Sequence, residues 1–328
     1  MSKVYEALRQ KQNELSGAQP PAELLYEEFV DNIDVSGVNL DAGMHDGVLR
    51  TAFKSDDEEV KKDLSVGRAQ VETEPSYSRV STRGLKRLSL AKAETSRLVF
   101  LTDPHGRAAE QFRFLRRTLE QKFPKGAVLL ITSPAPRDGK TLTSINLSSC
   151  LGDSGKPTLL LEGDIRQPAI KRVLGTSIEG PGIEDALAGS TDPEEPIWLV
   201  EELKFQVSIV QHPPADPSNV VSGSGTKRYL TWARERFHWV VIDSPPVLPA
   251  VDVVHLSALA DAVLLVVRAQ STPRDLLTRS FEMLGDRLSG VVLNEATVES
   301  NPYYRYLSDY RQKPESSRRP VPSVKEKD

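Results

Sequence analysis

The run Val128-Leu129-Leu130-Ile131 leads into Ser133-Pro134-Ala135-Pro136-Arg137-Asp138-Gly139-Lys140-Thr141 and then into Leu142-Thr143-Ser144-Ile145-Asn146-Leu147. No other stretch constrains the chain as much. An apolar strand, a loop closing on Gly-Lys-Thr and a helix are the successive parts of a phosphate-binding loop, where backbone N–H groups and the positive end of a helix converge on an anion. In that layout Ser133, Pro136, Arg137, Asp138, Gly139 and Leu142 shape the cradle. Lys140 reaches the β and γ phosphates, and the Thr141 hydroxyl ligates Mg²⁺. Pro134 occupies the place of the first glycine of G-x-x-x-x-G-K-[ST], so the alternative of a chance Gly-Lys-Thr at a helix start must be decided by the rest of the chain.

Further apolar runs end in acidic residues. Thr158-Leu159-Leu160-Leu161 runs into Glu162-Gly163-Asp164-Ile165-Arg166, and Trp239-Val240-Val241-Ile242 into Asp243-Ser244-Pro245-Pro246. Uninterrupted apolar strands of this kind are buried on both faces of a parallel sheet and deliver carboxylates to its C-terminal edge. Asp243 suits a Mg²⁺ shell in the manner of a Walker B aspartate. On a continuing strand Glu162 and Asp164 would face the same side, one supporting the metal and the other accepting a proton. Arg137 and Arg166 either stabilise phosphate charge or form ordinary surface ion pairs.

Strands are also expected at 207–210, 262–267 and 290–294, and helices over about 227–237 and 274–284. The alternation predicts one doubly wound α/β domain with a mostly parallel sheet, a P-loop NTPase of the deviant Walker type. Asn294, ending the last strand, is either an adenine-binding residue or a turn residue. Ahead of the loop, 108–119 reads as a helix with Phe112, Leu115 and Leu119 on one face and Glu110, Arg113 and Arg116 on another. That charged face is either solvated or a surface for self-association.

The net charge of −4 on 328 residues gives no reason to expect nucleic-acid binding. Cys150, the one cysteine, reads as a buried inert thiol. Residues 1–63 hold fourteen acidic and seven basic residues. Residues 1–90 are therefore expected to be a mostly disordered acidic arm opening with a short helix, ahead of a 91–300 nucleotide-binding domain. Residues 301–328 hold Tyr303, Tyr304, Tyr306 and Tyr310, followed by a Pro-, Ser- and Lys/Arg-rich tail. With no apolar run long enough to cross a membrane, a cytoplasmic protein is expected.

Taken together, these motifs resemble the bacterial tyrosine kinases of capsule and exopolysaccharide loci, the BY-kinases. Ser133-x-x-Pro136-x-x-Gly139-Lys140-Thr141 is similar to that family's Walker A, Leu159 to Arg166 to its Walker A′, Val240 to Pro246 to its Walker B, and Glu110-x-x-Arg113-x-x-Arg116 to its oligomerisation helix. The resemblance implies ATP and Mg²⁺ as cofactors and Lys140, Glu162, Asp164 and Asp243 as catalytic residues, with Thr141, Asp164 and Asp243 around the metal. It further implies a homo-oligomeric ring whose neighbouring subunits phosphorylate Tyr303, Tyr304, Tyr306 and Tyr310, control of polysaccharide polymerisation and export, a transmembrane co-polymerase as activator and membrane tether, and a cognate tyrosine phosphatase. Glu162 stands where the family usually has aspartate, and Arg137-Asp138 replaces a more usual Gly-Glu or Gly-Ala. The competing readings are a nucleotide-switch ATPase of the partitioning type, whose signature lysine would fall at Ala135, and a weakly active scaffold of the same fold.

Overall fold

The computed structural model describes residues 48–53, 86–90, 97–248 and 251–296. The helical stripe at the N-terminus, most of the acidic arm, the tyrosine cluster and the basic tail lie outside the described residues. Two pieces of the arm are nevertheless strands. β1 (Val48–Phe53) and β2 (Lys86–Leu88) sit at the two ends of a nine-stranded sheet, so the sheet draws on chain that composition alone assigned to the arm.

The remaining elements are α1 (Val99–Thr102), α2 (Arg107–Lys122), β3 (Ala127–Thr132), α3 (Lys140–Asp153), β4 (Thr158–Glu162), α4 (Ile170–Leu174), α5 (Ile183–Ala188), β5 (Ile197–Val200) and β6 (Phe205–Ser208). They continue with α6 (Pro217–Ser222), α7 (Ser224–Arg234), β7 (Trp239–Asp243), α8 (Val251–Leu259), β8 (Ala262–Arg268), α9 (Arg274–Leu284) and β9 (Leu288–Ala296). The strand order is β1-β9-β8-β3-β7-β4-β6-β5-β2. Pairing from β9 through β6 is parallel, whereas β1 on β9 and β5 on β6 are antiparallel.

Because successive side chains of a strand point to opposite faces, each central strand feeds two cores. Leu129, Ile131, Leu160, Val241 and Leu264 pack with Leu115 and Leu119 of α2 and Ile145 and Leu151 of α3. Val128, Leu130, Leu159, Val240 and Val263 pack on the other face with Tyr229 and Leu230 of α7 and Val253 and Leu256 of α8. Every residue of β3, β4 and β7 is buried, which explains their continuous apolar runs.

The helix after the phosphate loop, α3, is buried along most of its length and needs a close seat. Gly152 provides it, since a Cβ there would lie 2.0 Å from the Lys204 carbonyl oxygen just before β6. Gly152→Ala must push α3 off this backbone. It is expected to destabilise the fold by about 1–3 kcal/mol, read as a lower denaturation midpoint with an unchanged m-value.

Candidate active site

Parallel strands whose crossovers reverse direction leave a crevice at their C-terminal edge. Here it is a cleft of about 1010 Å³, lined by the phosphate loop, the segments following β4 and β7 and the C-terminal ends of β8 and β9. Pro136, Arg137, Gly139, Lys140, Thr141, Leu142, Asp164, Arg166 and Asn294 all border it. The structure therefore gathers most of the residues singled out by sequence around one cavity.

The loop is held by its own residues. Gly139 adopts φ +100° as it starts α3, and a Cβ there would lie 2.1 Å from the Asn294 amide nitrogen. Ser133 lies buried at the loop's base, its hydroxyl donating to the Ala135 carbonyl at 2.7 Å. Asp138 is buried as well. Its Oδ2 accepts from the Ala135 N–H at 3.0 Å, its Oδ1 from the Thr272 hydroxyl at 3.0 Å, and its carbonyl from Asn294 Nδ2 at 3.0 Å. Asn294 thus spends an amide proton on the loop. Arg137 adopts φ +71°, a conformation that costs a non-glycine residue about 1–2 kcal/mol.

Three carboxylates meet beneath the loop. Lys140 Nζ lies 3.4 Å from Asp164 Oδ2, with both side chains largely buried, and the Gln167 N–H donates to Asp164 Oδ1 at 3.0 Å. Asp243 Oδ1 accepts from the Ser144 hydroxyl at 3.2 Å, while Oδ2 is buried with no hydrogen-bond partner among the described residues. Burial raises the Asp243 pKa to about 6, against the opposing pull of Lys140 and the Thr141 hydroxyl. A buried carboxylate oxygen beside a threonine hydroxyl fits a divalent cation whose remaining ligands are water and phosphate. Among the described residues no cluster of three or more His, Cys, Asp or Glu could hold a metal alone, which is the usual situation for nucleotide-bound Mg²⁺.

Glu162 departs from the sequence expectation. Strand β4 ends at Glu162, and Gly163 breaks the alternation that would have put Glu162 and Asp164 on one side. A Cβ on Gly163 would come within 2.8 Å of Ile242 Cγ2. Glu162 turns instead into the protein, where Oε1 accepts the N–H groups of Ala169 (2.6 Å) and Ile170 (2.8 Å) and Oε2 that of Val210 (2.9 Å). Its carboxylate fastens the loop into α4 to the end of β6. Burial raises its pKa to about 7 although the three N–H groups oppose the shift.

Sequence reasoning missed several residues that border or brace the cleft. Arg166 is held by Asp252, Nε to Oδ2 at 2.9 Å, and by Ser218, whose hydroxyl donates to Asp252 Oδ1 at 2.8 Å. Thr272 ties Asp138 to the turn after β8, and Glu295 pairs with Arg268. None of these lies in a recognisable motif. On α2, Arg113 binds Glu110 and the Pro104 carbonyl at 2.7 Å each, and Arg116 binds the Cys150 carbonyl at 2.9 Å. Tyr303, Tyr304, Tyr306 and Tyr310, expected as phosphoacceptors, lie outside the described residues.

No family model matches the chain. Comparison with curated proteins finds the tyrosine-protein kinase YwqD of Bacillus subtilis, 25% identical over 228 residues, covering 67% of this chain and 96% of that protein. This chain is a homologue of the bacterial tyrosine kinases. The succinoglycan biosynthesis transport protein ExoP of Rhizobium meliloti is 29% identical over 204 residues, 60% of this chain and 26% of that protein. Most of the curated relatives are much longer than the match, and the chain spans about a quarter to a third of their length. Among solved structures, the chimerical protein CapA2B2 superposes with a TM-score of 0.58 at 25% identity, over 66% of this chain and 96% of that one.

The raised pKa of Glu162 has a definite sign. In the window from about 4.5 to about 7 the folded state holds the Glu162 proton that the unfolded state has released, so rising pH removes stability. Urea denaturation of Glu162→Gln across that window is expected to lose less stability with pH than the wild type. Parallel curves would rule out a buried, titrating Glu162.

Proposed function

We propose that this chain is an ATP- and Mg²⁺-dependent protein-tyrosine autokinase that phosphorylates the C-terminal tyrosines of a neighbouring copy. One observation carries the reading: the unpartnered buried oxygen of Asp243, beside Thr141 and within the field of Lys140, at the foot of a phosphate loop. Kinship with proteins named as tyrosine-protein kinases supplies the reaction class.

In this reading Ser133 and Pro136 to Leu142 enclose the triphosphate, and Thr141 and Asp243, backed by Asp164, hold Mg²⁺. The metal, when bound, neutralises charge on the β and γ phosphate oxygens. Lys140 contacts the same oxygens while lying 3.4 Å from Asp164 Oδ2. The phenolic oxygen of an acceptor tyrosine bonds to the γ-phosphorus as the bond to the β,γ-bridging oxygen breaks. The electron pair of that bond leaves on ADP, and the phenolic proton passes to Asp164, the carboxylate that faces the cleft now that Glu162 is turned away. Glu162 serves the reaction by fixing the loop that carries Asp164. Asn294 positions the phosphate loop and borders the nucleotide.

The acceptors are Tyr303, Tyr304, Tyr306 and Tyr310, which follow the last strand closely enough in sequence to reach a neighbour. Between Asn294 and Tyr310 the chain spans up to about 50 Å when extended. A homo-oligomeric ring built through α2, with Glu110, Arg113 and Arg116, would bring tail and site together. Control of exopolysaccharide or capsule polymerisation and export is carried over from relatives such as ExoP, a succinoglycan biosynthesis transport protein. The reading includes a transmembrane co-polymerase that activates the kinase at the cytoplasmic face and a tyrosine phosphatase that resets it; among the described residues no helix is long and apolar enough to cross a membrane.

The test is co-expression with the membrane partner, followed by phosphosite mapping. Phosphate is expected on Tyr303, Tyr304, Tyr306 or Tyr310, reduced at least about 100-fold in Lys140→Met and in Asp243→Asn. Release of ADP without phosphotyrosine would instead establish a nucleotide switch.

A further inference from the structure

We infer that Arg137 is a catalytic arginine carried inside the phosphate loop itself, its guanidinium placed to offset the negative charge that builds on the transferred γ-phosphoryl group. The inference rests on the phosphotransfer reading above and adds to it a residue that acts on turnover and not on nucleotide affinity.

Two independent observations point to this side chain. The first is backbone conformation. Arg137 adopts φ +71°, where glycine is the residue at ease, and among the described residues three of the four non-glycine positive-φ positions lie at this edge of the sheet, Arg137 and Gln270 in loops and Glu295 near the end of β9. Strained residues persist where function retains them. The second is the state of its charge. Six cations line the cleft, and four face a carboxylate: Arg97 and Arg268 face Glu295, Lys140 faces Asp164, and Arg166 faces Asp252. Arg137 and Arg172 have no side-chain ion pair or hydrogen bond among the described residues, and only Arg137 belongs to the phosphate loop. The surface ion pair that would have been the ordinary explanation for Arg137 is absent, whereas Arg166 has one.

Chemistry favours the same assignment. A planar guanidinium offers a fork of N–H donors matched to two phosphate oxygens, and Arg137 borders the cleft that the phosphates would enter. As the acceptor oxygen bonds to phosphorus and the bridging P–O bond breaks, charge spreads over the equatorial oxygens and onto ADP. A cation with no other partner interacts with that charge without first giving up a carboxylate. The neighbouring Asp138 stays clear of the phosphates because its oxygens are engaged by Ala135 and Thr272.

The experiment compares the full chain with Arg137→Gly and Arg137→Asn, both compatible with positive φ. Three quantities are read: ADP affinity in the presence of Mg²⁺ using a fluorescent ADP, phosphotyrosine formation in the activated system, and melting temperature. Each variant is expected to lose at least about 100-fold in turnover. Each should bind ADP within about threefold of wild type, and the glycine variant should melt at the same temperature or higher because it accepts the backbone angle. Turnover within threefold of wild type in either variant, or ADP affinity falling in step with turnover, overturns the assignment. Wild type that binds ADP but transfers no phosphate overturns the kinase reading and the arginine's role with it. Loss confined to the variants, with the wild type active, isolates the effect to Arg137.

Discussion

Three carboxylates at one sheet edge have to be kept from repelling one another, and most of the cleft is arranged around that requirement. The parallel register of β4 and β7 sets Glu162 directly beside Asp243. Asp164 follows two residues later, and the main-chain carbonyl of Asp243 accepts the N–H groups of both Gly163 and Asp164, drawing the strand ends together. Like charges within several ångströms in a protein interior interact by several kcal/mol unless compensated. Each carboxylate is compensated differently. Glu162 takes three backbone N–H groups, Asp164 takes Lys140 and the Gln167 N–H, and Asp243 is left half satisfied. The deficit at Asp243 is one that a bound cation would relieve, so under the proposed function a ligand bringing Mg²⁺ with it would stabilise the folded domain by mass action as well as by contact.

The sheet was legible in the sequence to the extent that its strands are buried on both faces. Runs such as Val128 to Ile131 and Trp239 to Ile242 announce themselves because a strand covered on both sides carries no polar alternation. Strand β6 was expected at 207–210 and lies at Phe205–Ser208, since the buried Gln206 disguises its start. The four-residue β5, Ile197–Val200, went unread because it is short and only half buried, and β1 and β2 because they are isolated in polar, charged chain.

The phosphate loop, Asp164 and Asp243 were likewise legible, because type and spacing alone define them. What misled was the assumption that β4 continues past Glu162. The strand stops at Glu162, whose longer carboxylate lies inward and reaches backbone amides on two separate segments. Asp252, Ser218 and Thr272 carry no signal at all, for their partners are 86, 52 and 134 residues away or closer only through the fold.

The same helix links the loop to the far side of the domain. α3 begins at the phosphate loop and ends near Asp153, and an α-helix carries partial positive charge at its start and partial negative charge at its last carbonyls. Those last carbonyls lack partners within the helix, and the Arg116 guanidinium binds the one on Cys150. Cys150 itself is buried, its thiol pushed up to about 12, so it contributes packing and a carbonyl rather than reactivity. A cation at the C-terminal end complements the dipole whose positive end faces the phosphates. Arg116 therefore steadies the C-terminal end of the helix that begins at the phosphate loop, from a helix that the sequence singled out for assembly. Any contact between copies made through α2 would bear on a residue that already holds the C-terminal end of α3.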